Sequence, residues 1–162
     1  MLDTNKVLRI AVSFLGVFIS VYTLYVEVQA LADKNYKAMC DINENVSCTK
    51  VFLSKHGKGF GLIGPILGEN SALNLPNPVY GIAFYGFIFM SSFFSSGKTV
   101  MGFLTLLSFM SCGMCVYLAS VLYTMRHVCL VCFSTYAISF ALFYLCFKRY
   151  NELVKTEKYK VE

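Results

Sequence analysis

Four long apolar stretches, at about 7 to 31, 79 to 96, 99 to 124 and 129 to 147, are separated by one long polar segment and two short breaks. Hydrophobic residues run through each stretch without the strict alternation of a barrel strand, so the pattern predicts helices. Crossing a hydrocarbon core about 30 Å thick takes roughly 20 apolar residues in a helix, and each stretch is near that length. The expected architecture is an all-α integral membrane protein, a four-helix transmembrane bundle forming one domain over residues 1 to 162. A loop at about 32 to 78 would cap the active site, and a tail would run from about 148 to 162. Ala30-Leu31-Ala32 resembles a cleavage site, but the run from Ile10 to Val26 exceeds a usual signal core and predicts a retained helix.

Composition agrees. The 162 residues are 57% hydrophobic and only 14% charged, with a mean hydropathy of +0.61, too apolar for a water-soluble domain. Lys6, Arg9, Lys98, Lys148 and Arg149 flank the apolar stretches on one side, which is cytoplasmic by the positive-inside rule, and both termini are expected there. The loop lies opposite, its lysines at 34, 37, 50, 55 and 58 nearly balanced by Asp33, Asp41, Glu44 and Glu69. Asn45-Val46-Ser47 is a glycosylation acceptor motif if the loop is lumenal, and the terminal Lys158-Tyr159-Lys160-Val161-Glu162 resembles a dilysine retrieval signal. Together they predict a multi-pass protein of the endoplasmic reticulum membrane. The net charge of +5 is absorbed by topology and anionic lipid, so the bilayer is the expected partner and nucleic acid is not.

Loops of this length are usually functional or disordered. Gly59-Phe60-Gly61-Leu62-Ile63-Gly64 has the glycine spacing of a dinucleotide-binding turn, but no strand precedes it and no βαβ unit surrounds it. The run from Phe60 to Leu67 fits better as an apolar patch that dips into the membrane interface over the bundle.

Chemistry enters with the seven cysteines. Cys129-Leu130-Val131-Cys132 has the spacing of a redox dithiol at the start of the last helix, where the partial positive charge of a helix N-terminus favours a thiolate. Cys40 and Cys48, in the loop on the same side, read either as a structural staple or as a pair exchanging electrons with that dithiol through mixed disulfides. Cys112-Gly113-Met114-Cys115 repeats the spacing, and the four positions approach a zinc-ribbon pattern, so a metal-binding bundle is an alternative of another class. Helix geometry opposes it, because the 17 residues from 112 to 129 rise roughly 25 Å and set the pairs at different depths. No metal site is therefore expected, and Cys112 and Cys115 are assigned to helix packing. Cys146 reads as packing or an acylation site. His56 and His127 lack ligand-spaced partners, and Glu27 is expected to snorkel to water.

Tyr136 lies one helical turn after Cys132 on the same face, either packing or pointing its hydroxyl into the space beside the thiol. Asn77 before Pro78 reads as a helix N-cap or as a second polar group there. A dithiol in an apolar bundle needs a lipid-soluble two-electron partner, and a quinone offers carbonyl oxygens to such groups.

Taken in order, Ala38-Met39-Cys40-Asp41, Ser47-Cys48-Thr49-Lys50-Val51-Phe52, Gly57-Lys58-Gly59-Phe60-Gly61, Leu73-Asn74-Leu75-Pro76-Asn77, Val116-Tyr117-Leu118-Ala119 and Cys129-Leu130-Val131-Cys132-Phe133-Ser134-Thr135-Tyr136-Ala137 resemble the vitamin K epoxide reductase family. The resemblance covers nearly the whole chain. It implies thiol-driven reduction of vitamin K epoxide to quinone and hydroquinone in the endoplasmic reticulum, supporting γ-glutamyl carboxylation, with coumarin anticoagulants as inhibitors. It further implies Cys132 as the attacking thiolate, Cys129 as its resolving partner, and Cys40 and Cys48 as a shuttle reduced by a lumenal thioredoxin-like protein. Asn77 and Tyr136 would hydrogen-bond the substrate, and Phe52 and Phe84 would wall the pocket. No permanently bound cofactor is expected, reducing equivalents come from thiols, and the protein is expected to be a monomer. His56 stands where the family pattern leads one to expect tryptophan. A quinone-dependent thiol oxidase, running the same relay backwards, is the alternative enzyme.

Overall fold

The computed structural model describes residues 3 to 158 apart from 34, 44, 45, 69, 95 and 96, and not the side chain of Lys158. Asn45 of the acceptor motif and most of the terminal retrieval signal lie outside the described residues.

Among the described residues six helices occur in chain order: α1 (Thr4–Ala32), α2 (Cys48–Phe52), α3 (Ile63–Leu67), α4 (Asn77–Phe93), α5 (Lys98–Met125) and α6 (Leu130–Lys158), with a 3₁₀ turn at Gly59–Gly61. Among the described residues the only β pairing is two isolated bridges. α1, α5 and α6 are long and apolar enough to cross a membrane. α4 has 17 residues, a rise of about 26 Å. α1 packs along α4, α5 along α6, and α1 against α6.

The first helix is largely polar inside and apolar outside. α1 buries Asn5, Arg9, Ser13, Gly16, Ser20, Thr23 and Glu27 at spacings of three or four, while Phe14, Phe18 and Val21 point outward and are more than half exposed. A soluble helix shows the reverse, because water rather than hydrocarbon meets its outer face. Small residues on the inner stripe let helices approach closely: a Cβ on Gly16 would lie 2.6 Å from the Tyr85 ring of α4. Hydroxyls on these inner faces largely return to their own helix, as Ser13 Oγ does to the Arg9 carbonyl at 2.6 Å and Ser92 Oγ to that of Ile88 at 2.8 Å.

One end of the bundle is tied by polar contacts. Asn5 Nδ2 donates to the Leu145 carbonyl at 3.1 Å, Lys6 Nζ to that of Phe93 at 3.3 Å, and Arg149 meets Asp3 at 3.4 Å. Lys98 pairs with Glu157 at 2.5 Å, which places the last turn of α6 beside the first of α5. α6 therefore continues eleven residues past the expected end at 147. No glycine or proline interrupts this stretch, and two ion pairs hold it, Arg149 with Glu152 within the helix (3.3 Å) and Glu157 with Lys98 of α5. Arg9, expected to flank the span, is instead buried with Nη1 3.1 Å from Met101 Sδ. Cys146 is fully buried among Ile138, Leu142 and Met101, which fits packing and not acylation.

The opposite end carries the segment between α1 and α4. Gly59, Phe60 and Gly61 all take left-handed backbone conformations, φ 51°, 57° and 72°, a turn in which glycine is unstrained on either side of one tolerated Phe. This is a reversal beneath α3, not a nucleotide-binding turn. Ile66 and Leu67 of α3 are exposed, in line with the expected apolar patch. Glu27 departs from expectation: it is 1% exposed, and neither carboxylate oxygen has a hydrogen-bond partner among the described residues.

Candidate functional site

The loop cysteines are positioned by an aspartate that lies between them in sequence. Asp41 accepts four hydrogen bonds, from the Ala38 amide (3.0 Å), the Ser47 hydroxyl (2.9 Å), the Thr49 amide (3.1 Å) and the Thr49 hydroxyl (2.5 Å). Burial opposes ionisation of this carboxyl, but the bonds from Thr49, Ser47 and Ala38 outweigh it and hold the group below its ordinary range. Ser47 then caps α2, accepting from the Lys50 amide at 3.3 Å, so Cys48 is the first residue of that short helix. Cys40 and Cys48 are joined as a disulfide with Cα atoms 5.9 Å apart.

The loop is held against the start of α6 by backbone. Val46 pairs with Val128 in a parallel bridge, and the Ser47 amide donates to the Val128 carbonyl at 3.2 Å. The residues that follow each partner are Cys48 and Cys129, and their sulfurs lie 3.9 Å apart. Cys129 is disulfide-bonded to Cys132. It occupies the position before α6, where its sulfur accepts from the Cys132 amide at 3.2 Å and its carbonyl from the Phe133 amide at 3.1 Å. Negative charge on that sulfur, once the pair is reduced, would meet an amide and the helix N-terminus. Cys48 and Cys129 are wholly buried, packed with Val26, Val51, Phe52 and Leu122.

Beyond this cluster lies a cavity of about 380 Å³, within the usual size of small-molecule sites. Cys132 lines it and Cys129 does not. All four expected substrate residues also line it: Phe52 from α2, Asn77 and Phe84 from α4, and Tyr136 from α6. The Tyr136 hydroxyl is buried without a hydrogen-bond partner among the described residues, an unsatisfied donor in the cavity wall.

Asn77 is not the helix cap. Pro76 holds the capping position, and Asn77 is the first residue of α4. Its Oδ1 accepts from the Phe60 amide at 2.8 Å and its Nδ2 donates to the His56 carbonyl at 2.6 Å, binding the 56–60 turn to α4 and using one of the two Nδ2 hydrogens. His56 and Phe60 complete this wall.

Sequence reasoning missed Asp41 and placed Cys115 only in helix packing. The signal for Asp41 was its place directly after Cys40 with hydroxyl residues on both sides of Cys48. Cys115 is a free thiol lining the cavity, whereas Cys112 turns its sulfur toward the Ser139 carbonyl at 3.7 Å. Cys40, Asp41 and Cys48 alone among the described residues bring metal-type ligand atoms together, within 4.8 Å. The disulfide and the four bonds to Asp41 already use those atoms, so this group does not fit a metal site as it stands.

The sequence model of the vitamin K epoxide reductase family matches residues 7–147. The mouse (Mus musculus) protein named vitamin K epoxide reductase complex subunit 1 is 37% identical over 152 residues, 93% of each chain. Its rat (Rattus norvegicus) counterpart is 35% identical over 146 residues, 90% of each chain.

Proposed function

The chain belongs to the vitamin K epoxide reductase family, and from that premise we propose that it reduces vitamin K 2,3-epoxide to the quinone, and the quinone to hydroquinone, at the expense of protein thiols. It would do so as a multi-pass protein of the endoplasmic reticulum membrane, supporting γ-glutamyl carboxylation. In this reading α4 is the fourth span, both termini are cytoplasmic, and the α1–α4 segment is a lumenal cap. The observation that carries the proposal is the 3.9 Å separation of Cys48 and Cys129 sulfurs, with Cys132 on the cavity side.

That order gives the relay a direction. A lumenal thioredoxin-like dithiol reduces Cys40–Cys48. The Cys48 thiolate attacks Cys129, forming a Cys48–Cys129 disulfide and releasing Cys132 as a thiolate; Cys40 then attacks Cys48, restoring the first disulfide and freeing Cys129. The Cys132 thiolate opens the epoxide by forming a bond to ring carbon. Attack of Cys129 on the Cys132 sulfur breaks that bond, returns two electrons to the ring and re-forms the Cys129–Cys132 disulfide. The epoxide oxygen leaves as water with two protons derived from the thiols. The Tyr136 hydroxyl and the remaining Asn77 N–H are suited to bind the carbonyl oxygens on which charge develops.

The test is turnover of vitamin K epoxide by purified protein in lipid with a small dithiol as reductant. Quinone and hydroquinone should appear in step with dithiol oxidised, and protein with all four relay cysteines replaced should give none. Absence of turnover in folded wild-type protein would reject the assignment. Oxidation of substrate thiols at the expense of added quinone, without epoxide reduction, would favour the reverse reaction.

A further inference from the structure

We propose that Cys115 makes the cavity a covalent modification site for quinones that carry an unsubstituted ring carbon. The inference rests on the quinone cavity argued above and extends what that cavity reacts with.

Three thiols remain free after the two disulfides are counted, and they differ in surroundings. Cys146 is buried near the opposite end of the bundle and Cys112 faces the α6 backbone. Cys115 alone of the three lines the cavity. Its sulfur sits beside the hydroxyls of Ser111 and Ser139. Ser139 Oγ in turn lies 2.8 Å from the Tyr85 hydroxyl and 3.4 Å from Ser111 Oγ.

A second observation points to the ligand. Tyr136 lines the same cavity, is 9% exposed, and its hydroxyl has no partner among the described residues. Cys115 and Tyr136 are walls of that one cavity. An unfilled hydroxyl donor beside a thiol suits a ligand with a carbonyl oxygen one or two bonds from an electrophilic carbon, which is the arrangement in a quinone ring.

The chemistry is self-contained. Tyr136 donates to one carbonyl oxygen and withdraws electron density from the ring. The Cys115 sulfur adds to the open ring carbon, forming a C–S bond; the thiol proton goes to one quinone oxygen and the ring hydrogen at the attacked carbon moves as a proton to the other. Thiol plus quinone thus becomes a hydroquinone thioether, with no outside oxidant. When both carbons of that edge are substituted there is no hydrogen to lose, the ring cannot regain aromaticity, and the sulfur leaves again. Cys115 would therefore pass ring-substituted quinones and trap open ones. Burial slows reaction with reagents in bulk water, whereas a quinone seated in the cavity meets the thiol at high effective concentration.

The experiment uses full-length protein in lipid with both disulfides oxidised, treated with 2-methyl-1,4-naphthoquinone and read by intact mass and peptide mapping. One quinone should add at Cys115, equally in Cys112→Ser. The rate should fall about tenfold when 2,3-dimethyl-1,4-naphthoquinone is present at ten times its Kd. Cys115→Ser should take no adduct while still binding the dimethyl quinone, which shows the variant is folded. If the dimethyl quinone binds wild-type protein but Cys115 stays unmodified, or is modified at a rate the dimethyl quinone does not slow, this inference fails and the cavity assignment stands. If wild-type protein binds neither quinone and takes no adduct, both fail.

Discussion

Two Cys-x-x-Cys motifs of identical spacing lie 17 residues apart in this chain and have become different things. Cys129 and Cys132 begin α6 and form a disulfide, and the Cys129 sulfur lies 3.9 Å from that of Cys48. Cys112 and Cys115 sit in the middle of α5 as free thiols, one turned to backbone and the other to a cavity. Spacing does not separate them; position on the helix does. A cysteine preceding a helix has unpaired amides for its sulfur and a flexible approach for a partner loop, whereas a mid-helix cysteine finds every amide already bonded.

The widest separation between the motifs should appear in turnover. Cys132→Ala or Cys129→Ala is expected to abolish epoxide reduction with any reductant, because no attacking or resolving thiol remains. Cys112→Ala is expected to leave turnover per folded molecule unchanged. Loss of turnover in folded Cys112→Ala protein would mean that the reactive dithiol lies on α5.

Next in size is the dependence on the reductant. Cys40→Ala or Cys48→Ala should remove turnover driven by a thioredoxin-like protein yet retain much of that driven by a small dithiol, which can reach Cys129–Cys132 directly. Equal loss with both reductants would make the loop pair a structural staple.

Smaller effects test the cavity wall. Tyr136→Phe removes a donor with no partner among the described residues, so it should cost about 1–3 kcal/mol of transition-state stabilisation in kcat/KM while leaving the melting temperature nearly unchanged. Asn77→Ala removes two hydrogen bonds to the 56–60 turn, worth about 0.5–1.5 kcal/mol each, so it should lower both stability and turnover. If Tyr136→Phe instead destabilises without slowing turnover, the hydroxyl is a packing element.

The smallest effect concerns Asp41. Its folded carboxyl titrates below the ordinary value of 3.8, so its contribution to loop order is complete above that pH and is lost as pH falls through the lower folded value. Hydrogen exchange of residues 38 to 49 should quicken across that acid window in wild-type protein, and in Asp41→Asn should be fast at neutral pH as well.

Much of this protein was determined by the order of its residues. Continuous apolar runs in α1, α5 and α6 fix a multi-pass helical membrane protein, because backbone amides in hydrocarbon must bond within their own segment. The cysteine pattern with Asn77 and Tyr136 was legible too, since motif spacing and chain order are local properties. Tertiary structure decided what those residues face. The Val46–Val128 bridge and the packing around it bring Cys48 to Cys129 across 81 residues, and the packing of α1, α2, α4, α5 and α6 makes Cys132, Tyr136 and Cys115 walls of one cavity. It also moved Asn77 from a cap to a tie and left Glu27 buried. Each outcome depends on which neighbour a side chain meets through space, and helical periodicity specifies a face without specifying what lies against it.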